Sequence, residues 1–201
     1  MRVEDGGGPN PYSADGKTYH VKVEGYYSSS ANGMTAEQAK ALVDPTEAGP
    51  VVDAGTAFTS ASGVLHEVAR NLIGHAQRLS GAWSGGAADT AMPQFQQLHD
   101  TAINLANASQ ATGSVLTWHG STIMGWYKDQ INKLAQAKQA RLNSGGVLGA
   151  ISNTINRAKD ALEGHDPEDV AAANQMAKYN NRISQAYNSL PATVTKNLPP
   201  S

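Results

Sequence analysis

The 201-residue chain contains no cysteine, which excludes disulfides and thiolate metal sites and fits a reducing or an oxidising compartment equally. Charge is also scarce. Lys and Arg number 15 against 17 Asp and Glu, for a formal net charge of -2, and they are spread along the chain. There is no basic patch to hold nucleic acid and no cationic run to hold an anionic membrane. No window reaches the roughly 18 consecutive apolar residues of a membrane span. The opening "MRVEDGGGPNPYSADG" lacks the apolar stretch of a secretory signal peptide.

Catalytic patterns are missing as well. His20, His66, His75, His99, His119 and His165 form neither an HExxH motif nor a pair at i and i+4. The glycine-rich stretches lack the Lys-Ser/Thr of a phosphate-binding loop, no Gly-x-Ser-x-Gly elbow occurs, and the carboxylates are scattered. The sequence therefore predicts no catalytic residue, no metal and no cofactor. The chain reads as a non-enzyme.

What is present is helical periodicity with sharp punctuation. Residues 1–33, rich in Gly, Ser, Asn and Tyr, read as a poorly ordered arm, and the period-2 run Tyr19–Val23 reads as extended chain more than as a strand. Residues 34–190 read as one helical domain and 191–201 as a proline-containing tail. Thr35, three residues before Gln38, spells a capping box and a short helix over 35–43, which "DPTEAGP" stops. A hairpin over 50–140 follows, then helices over about 147–163 and 167–189. Asp166-Pro167 reads as an N-cap followed by a first-turn proline.

The first arm of the hairpin carries a seam, Val51, Ala54, Phe58, Ala61, Leu65, Val68, Leu72, His75 and Leu79, spaced alternately three and four apart. The same spacing resumes at Phe95, Leu98, Ala102, Leu105, Ser109, Thr112, Leu116, His119, Ile123 and Trp126. Two such arms joined by a tight loop lie antiparallel, folded near residue 83, with Leu65 near Ala102 and Phe58 near Ser109. His75 and His119 fall on the seam and read as hydrogen-bonded core or partner-facing residues. Pro93 demands a late start or a kink in the second arm. That arm outruns the first, and Gly113, Gly120 and Gly125 predict a bend between 113 and 125. The overhang of Ile123, Trp126, Ile131 and Leu134 needs cover from Val147, Ile151, Ile155, Leu162, Val170 and Ile183. The fold class is all-α: an elongated antiparallel helical hairpin extended by C-terminal helices into a rod-like bundle.

A tryptophan stands at the closed end of that hairpin, in "LSGAWSGGAADTA". Folded over Leu79 and the first turn of the next helix, Trp83 caps a seam that is otherwise open there, and the surrounding glycines supply the reversal. Trp83-Ser84-Gly85, followed by Ala87, Ala88 and Ala91 between two seam-bearing helices, resembles the Trp-x-Gly (WXG) helical-hairpin substrates of type VII (ESX) secretion in actinobacteria and other Gram-positive bacteria. The further helices and the ending "KYNNRISQAYNSLPATVTKNLPPS" resemble the PPE and EspB type most. The resemblance is best over 50–140.

It implies a secreted, non-enzymatic assembly or binding module, outside or at the surface of a Gram-positive cell. Its partners would be the type VII secretion machinery and either copies of itself or a helical hetero-partner. The family's Tyr-x-x-x-Asp/Glu signal is missing, because Ile131, Ile183 and Pro191 stand at that spacing after Tyr127, Tyr179 and Tyr187. His165-x-x-x-Asp169 has the spacing with the wrong aromatic. In such families one member of a secreted pair can carry the signal for both. Two other functions fit the same residues: the translocation domain of a polymorphic toxin, and a membrane-active, lipid-binding helical protein, against which the low charge argues.

One further feature bears on partners. From Thr90 through Tyr127 the only charged residue is Asp100, whereas a solvated helix normally carries Lys and Glu on its outer face. Either the chain has an alanine-rich compositional style or this face packs against other subunits. The candidate interface is Asn104, Asn107, Ala108, Gln110, Ala111 and Trp118, with Trp83 and Gly85 as the turn motif.

Overall fold

Thr35 opens the first helix of the computed structural model, which describes residues 17–20, 31–143 and 166–196. Its hydroxyl accepts from the Gln38 amide (3.2 Å) and the Gln38 side chain accepts from the Thr35 amide (2.9 Å), so helix α1 (Ala36–Val43) begins on a complete capping box. Helices α2 (Ala48–Ala82) and α3 (Gly86–Trp118) follow, then a π-helical segment (His119–Met124), α4 (Gly125–Asn143) and α5 (Pro167–Ser189). The fold is all-α. Its one sheet among the described residues is an antiparallel pair, β1 (Lys17–His20) with β2 (Thr193–Lys196), in which Lys17 faces Lys196 and His20 faces Thr193. The first of these strands overlaps the run read as unpaired extended chain, and its partner lies in the segment read as a tail. The helix expected over 147–163 lies outside the described residues.

The polypeptide divides into two compact units. One takes in Met1–Gly25, Asp53–Thr117 and Asn188–Ser201; the other takes in Tyr26–Val52 and Trp118–Tyr187. The second unit has a mixed core. Ala36, Ala39 and Val43 come from α1, Ile123 and Met124 from the π segment, Tyr127, Ile131 and Ala135 from α4, and Ala172, Met176 and Tyr179 from α5. The sets from α1, α4 and α5 recur every three or four residues, which is one stripe of a helix. Ile123, Ile131 and Leu134 are thus covered as the overhang requires, but Trp126 (50% exposed) and Val170 (42%) stay outside. The short helix α1 supplies cover that had been expected from the C-terminal helices alone. Within 113–125, where a bend or break was expected, the α-helix gives way to the π segment, and Gly120 there packs within reach of Val52 and Ala48.

Polar contacts align α1 antiparallel on α4. Lys128 donates to the Asp44 and Thr46 carbonyls (2.6 and 3.0 Å) just past the end of α1, and Lys40 donates to Asn132 (2.8 Å). At the other end Lys138, whose side chain is only 12% exposed, donates to Glu37 (2.9 Å) and to both oxygens of Asp169 in α5 (2.7 and 2.9 Å). Asp169 also accepts from the Ala36 amide (2.8 Å), at the helix end where the dipole favours negative charge. Arg141 holds Asp166 and Glu168. Asp166 precedes the helix as expected, its carbonyl accepting from the Asp169 and Val170 amides (both 3.0 Å).

The titrations follow from this geometry. Burial alone would lower the Lys138 pKa, but its bonds to Asp169 and Glu37 outweigh burial and hold it above the ordinary value. The bond from Lys138 holds the Glu37 carboxyl below its ordinary 4.5. Burial and the neighbouring Glu168 push Asp166 up instead.

Lys138→Met leaves two carboxylates without their cation. Breaking a buried pair costs about 3–5 kcal/mol, and with Glu37 partly solvated the expected loss is about 2 kcal/mol, read as a lower urea midpoint. Because the folded pKa of Glu37 is depressed, its contribution is present above 4.5 and fades as the pH falls through the folded value. The gap between wild type and variant should therefore narrow in acid; a gap that is constant down to pH 3 would show that the clamp is not its source.

Candidate interaction surface

The first unit is built on two long helices and a three-residue turn. Gly85 holds φ +96, a conformation that a side chain makes costly, and its carbonyl accepts from the Ala88 and Asp89 amides (2.9 and 3.2 Å) to start α3. The helix begins at Gly86 and runs through Pro93, so of the late start or kink that Pro93 demanded, the late start is not what is found.

The contact between α2 and α3 is made by small residues. Gly55, Ser62, Ala69 and Ala76, seven apart, are the buried residues of α2; Ala88, Ala102, Ala106, Ser109 and Gly113 are those of α3. The backbones approach so closely that a Cβ on Gly113 would meet the Gly55 carbonyl at 2.7 Å, the Thr59 amide at 2.9 Å and the Thr59 hydroxyl. A Cβ on Gly55 would meet the Thr117 amide at 2.8 Å and the Gly113 carbonyl at 2.9 Å. The fold-back is where a turn near residue 83 puts it, but the seam is not the expected one. Phe58, Leu65, Leu72 and Leu79 each lie three residues past a small buried residue, which is about 60° round the helix. Helices this close leave no room between them for large side chains.

The displaced residues form a face of their own. Phe58 (43% exposed), Val68, Leu79, Trp83 and Leu105 are all partly open to solvent. At the tip Leu79, Ala82 and Trp83 line a cavity of about 730 Å³ with Ala91, Gln94, Phe95 and Leu98 of α3, so the apolar sides of the two helices meet there. Leu105, seven residues past Leu98, continues the row. Trp83 takes its place beside Leu79 and Phe95 as expected. At 41% exposed it leaves the end of the hairpin open instead of capping it. No carboxylate or cation lies along the row Val51, Ala54, Phe58, Ala61, Leu65, Val68, Leu72, His75 and Leu79. His75 is exposed, its ring nitrogen 3.4 Å from Arg78, and is not part of a core.

The sequence-derived interface falls elsewhere. Asn104, Asn107, Gln110 and Ala111 are exposed and Ala108 is half-buried, on the outer surface of α3; Gln110 donates to Ser114 (3.3 Å). Trp118, 38% exposed, belongs to the second unit. Asp100, the one charge of the stretch, is tied down: His99 lies 2.9 Å away and Gln96 donates at 2.8 Å, and both hold its carboxyl below the ordinary range. Among the described residues no group of three or more His, Cys, Asp or Glu is arranged to hold a metal, and no helix is long and apolar enough to cross a membrane.

No family model, curated protein or solved structure matches this chain. Its surface must therefore be interpreted by its own chemistry. What that chemistry offers is a set of large apolar side chains partly open to solvent, with an open tryptophan-lined cavity at the tip.

Two glycine substitutions test the close approach. Gly113→Ala should destabilise the hairpin by about 1–3 kcal/mol through forced separation of the helices. Gly63→Ala, where nothing lies within 4 Å of the added methyl, should instead stabilise it by about 0.5–1 kcal/mol. Thermal unfolding of the two variants should show shifts of opposite sign; two shifts of the same sign would count against the small-residue contact.

Proposed function

We propose that the chain is a non-enzymatic, secreted substrate of a type VII (ESX-like) secretion system that works as an assembly or binding module and associates with itself. The resemblance of the Trp83-Ser84-Gly85 hairpin to WXG substrates of the PPE and EspB type supplies the secretion route. The observation that carries the module reading is the uncharged set Phe58, Val68, Leu79, Trp83 and Leu105, half-open on a helix pair whose fully buried contact residues are all small. Burying a Leu or Phe fully gives about 1.5–3 kcal/mol, so covering the exposed half of several of them is a large drive to associate. The location that follows is outside or at the surface of a Gram-positive, actinobacterial cell.

Val68 and Leu105 are both partly solvated, so Val68→Glu with Leu105→Glu should leave helical circular dichroism intact. The wild type should be oligomeric in light scattering at micromolar concentration, and this variant should have the mass of a monomer. Asn107→Glu with Ala111→Lys tests the outer surface of α3 in the same way, and disassembly by that pair alone would move the interface there. A wild type that is monomeric at high micromolar concentration from pH 5 to 8 would refute self-association.

Export gives a separate check. With no Tyr-x-x-x-Asp/Glu in the chain, residues 1–201 should leave a Gram-positive host only when its type VII system and a helical partner are both present. Equal export from a strain lacking the secretion ATPase would refute the route.

A further inference from the structure

His119 stands where α3 gives way to the π segment, its ring stacked parallel on Tyr179 of α5, with centroids 6.1 Å apart and planes 2° apart. Tyr179 stacks in turn on Tyr127 of α4 (5.1 Å), and Tyr127 meets Trp126 edge-on (4.7 Å). The histidine is therefore one end of an aromatic ladder that joins three consecutive parts of the second unit. Its Nδ1 is buried and has no hydrogen-bond partner among the described residues. A buried polar atom left without a partner is costly, and single π turns recur at functional positions. We propose that His119 is a proton-operated latch: neutral, it seats α5 on the π segment through Tyr179, and protonated in mild acid it releases that helix.

The chemistry of the site runs one way. A neutral imidazole packs on a phenol as one flat ring on another. An imidazolium in the same place would put a charge where no acceptor receives its proton. The face of Tyr179 gives it only a weak cation–π return at a 6.1 Å separation. Among the described residues the titratable groups facing the ring are the phenol of Tyr179 and, beyond it, that of Tyr127. From the first turn of α2, Ala48 and Val52 meet neighbouring Gly120 and carry no charge. The charged side chains of α1, Glu37 and Lys40, are held by Lys138 and by Asn132 with Asp44. Lys178 and Arg182, which flank Tyr179 on α5, are exposed. Among the described residues no carboxylate is placed to hold the proton, and burial moves the His119 pKa downward from 6.5.

The sign follows. A histidine whose folded pKa is depressed leaves stability undiminished above 6.5; the loss begins as the pH falls below 6.5 and levels off below the folded value. Acid therefore loosens α5, and the aromatic face of Tyr127 and Tyr179 opens with it. The inference does not depend on the secretion route or on self-association.

Hydrogen exchange of the full chain at pH 7.5 and 5.5 tests it, after correction for intrinsic exchange rates. Protection of the α5 amides from Ala172 to Ala186 should be lower at pH 5.5 than at pH 7.5, because burial holds the folded pKa of His119 below 6.5. In His119→Phe, which keeps the flat ring and loses the proton site, protection should be the same at both values. NMR titration of the wild-type imidazole reads the same group without a variant, and its midpoint should lie below 6.5. An equal acid loss in His119→Phe, unchanged protection in the wild type, or a midpoint at or above 6.5 would each overturn the proposal.

Discussion

The distance between α2 and α3 is set where Gly55 and Gly113 meet, because any side chain there would enter the opposite backbone. Interaxial distance depends on the side chains at the contact, and glycine with alanine and serine puts it at the short end of the range. From that one constraint the rest of the first unit follows. Large residues cannot lie between the helices, so Phe58, Leu65, Leu72 and Leu79 are turned to one side, with Phe95, Leu98 and Leu105 along the other helix. A contact made of Gly, Ser and Ala buries few methylene groups, so the pair gains little from its own interface. Its larger apolar side chains remain half in water.

The second unit meets the same need for cohesion by other means. It uses Ile131, Met176 and two tyrosines as a core, and a partly buried Lys138 that joins α1, α4 and α5 through Glu37 and Asp169. An ion cluster of this kind contributes geometry more than net energy, because desolvation offsets much of its Coulomb attraction. Here it fixes the ends of α1 and α5 against one position of α4, and the aromatic ladder from His119 to Trp126 fixes the middle.

Features with a local cause were legible in the sequence. The capping box of Thr35 and Gln38, the Asp166-Pro167 start of α5, the turn at Trp83 and the interruption near Gly120 each depend on a few adjacent residues, and each stands where those residues put it. The face of a helix that meets its neighbour depends on how closely two backbones can approach. Large apolar residues at heptad spacing mark the row from Val51 to Leu79, which lies to one side of the contact itself. The true contact was written in the other heptad, Gly55, Ser62, Ala69 and Ala76, which a hydrophobicity criterion passes over. The docking of α1 was hidden for a related reason: Ala36, Ala39 and Val43 form a stripe only three residues long. The apolar row was therefore legible by residue but not by role, half-exposed where burial had been expected, and the interface expected at Asn104, Asn107 and Gln110 is a different surface.

The placement of Trp83 ties the turn to that surface. An indole beside Leu79 and Phe95 extends the apolar row to the tip of the hairpin, so the turn is the end of a face and not a separate feature. With no charge along the row and a net charge of -2 for the whole chain, long-range steering of a partner is weak. In the proposed association, discrimination would come from shape: which large side chain fits which gap, and whether a partner can fill the cavity beside Trp83. Such an interface selects partners by packing after contact, through dissociation rates more than through encounter rates, and it is insensitive to salt. A second hairpin of the same construction meets these terms, because its own large residues are also displaced to one side by a small-residue contact.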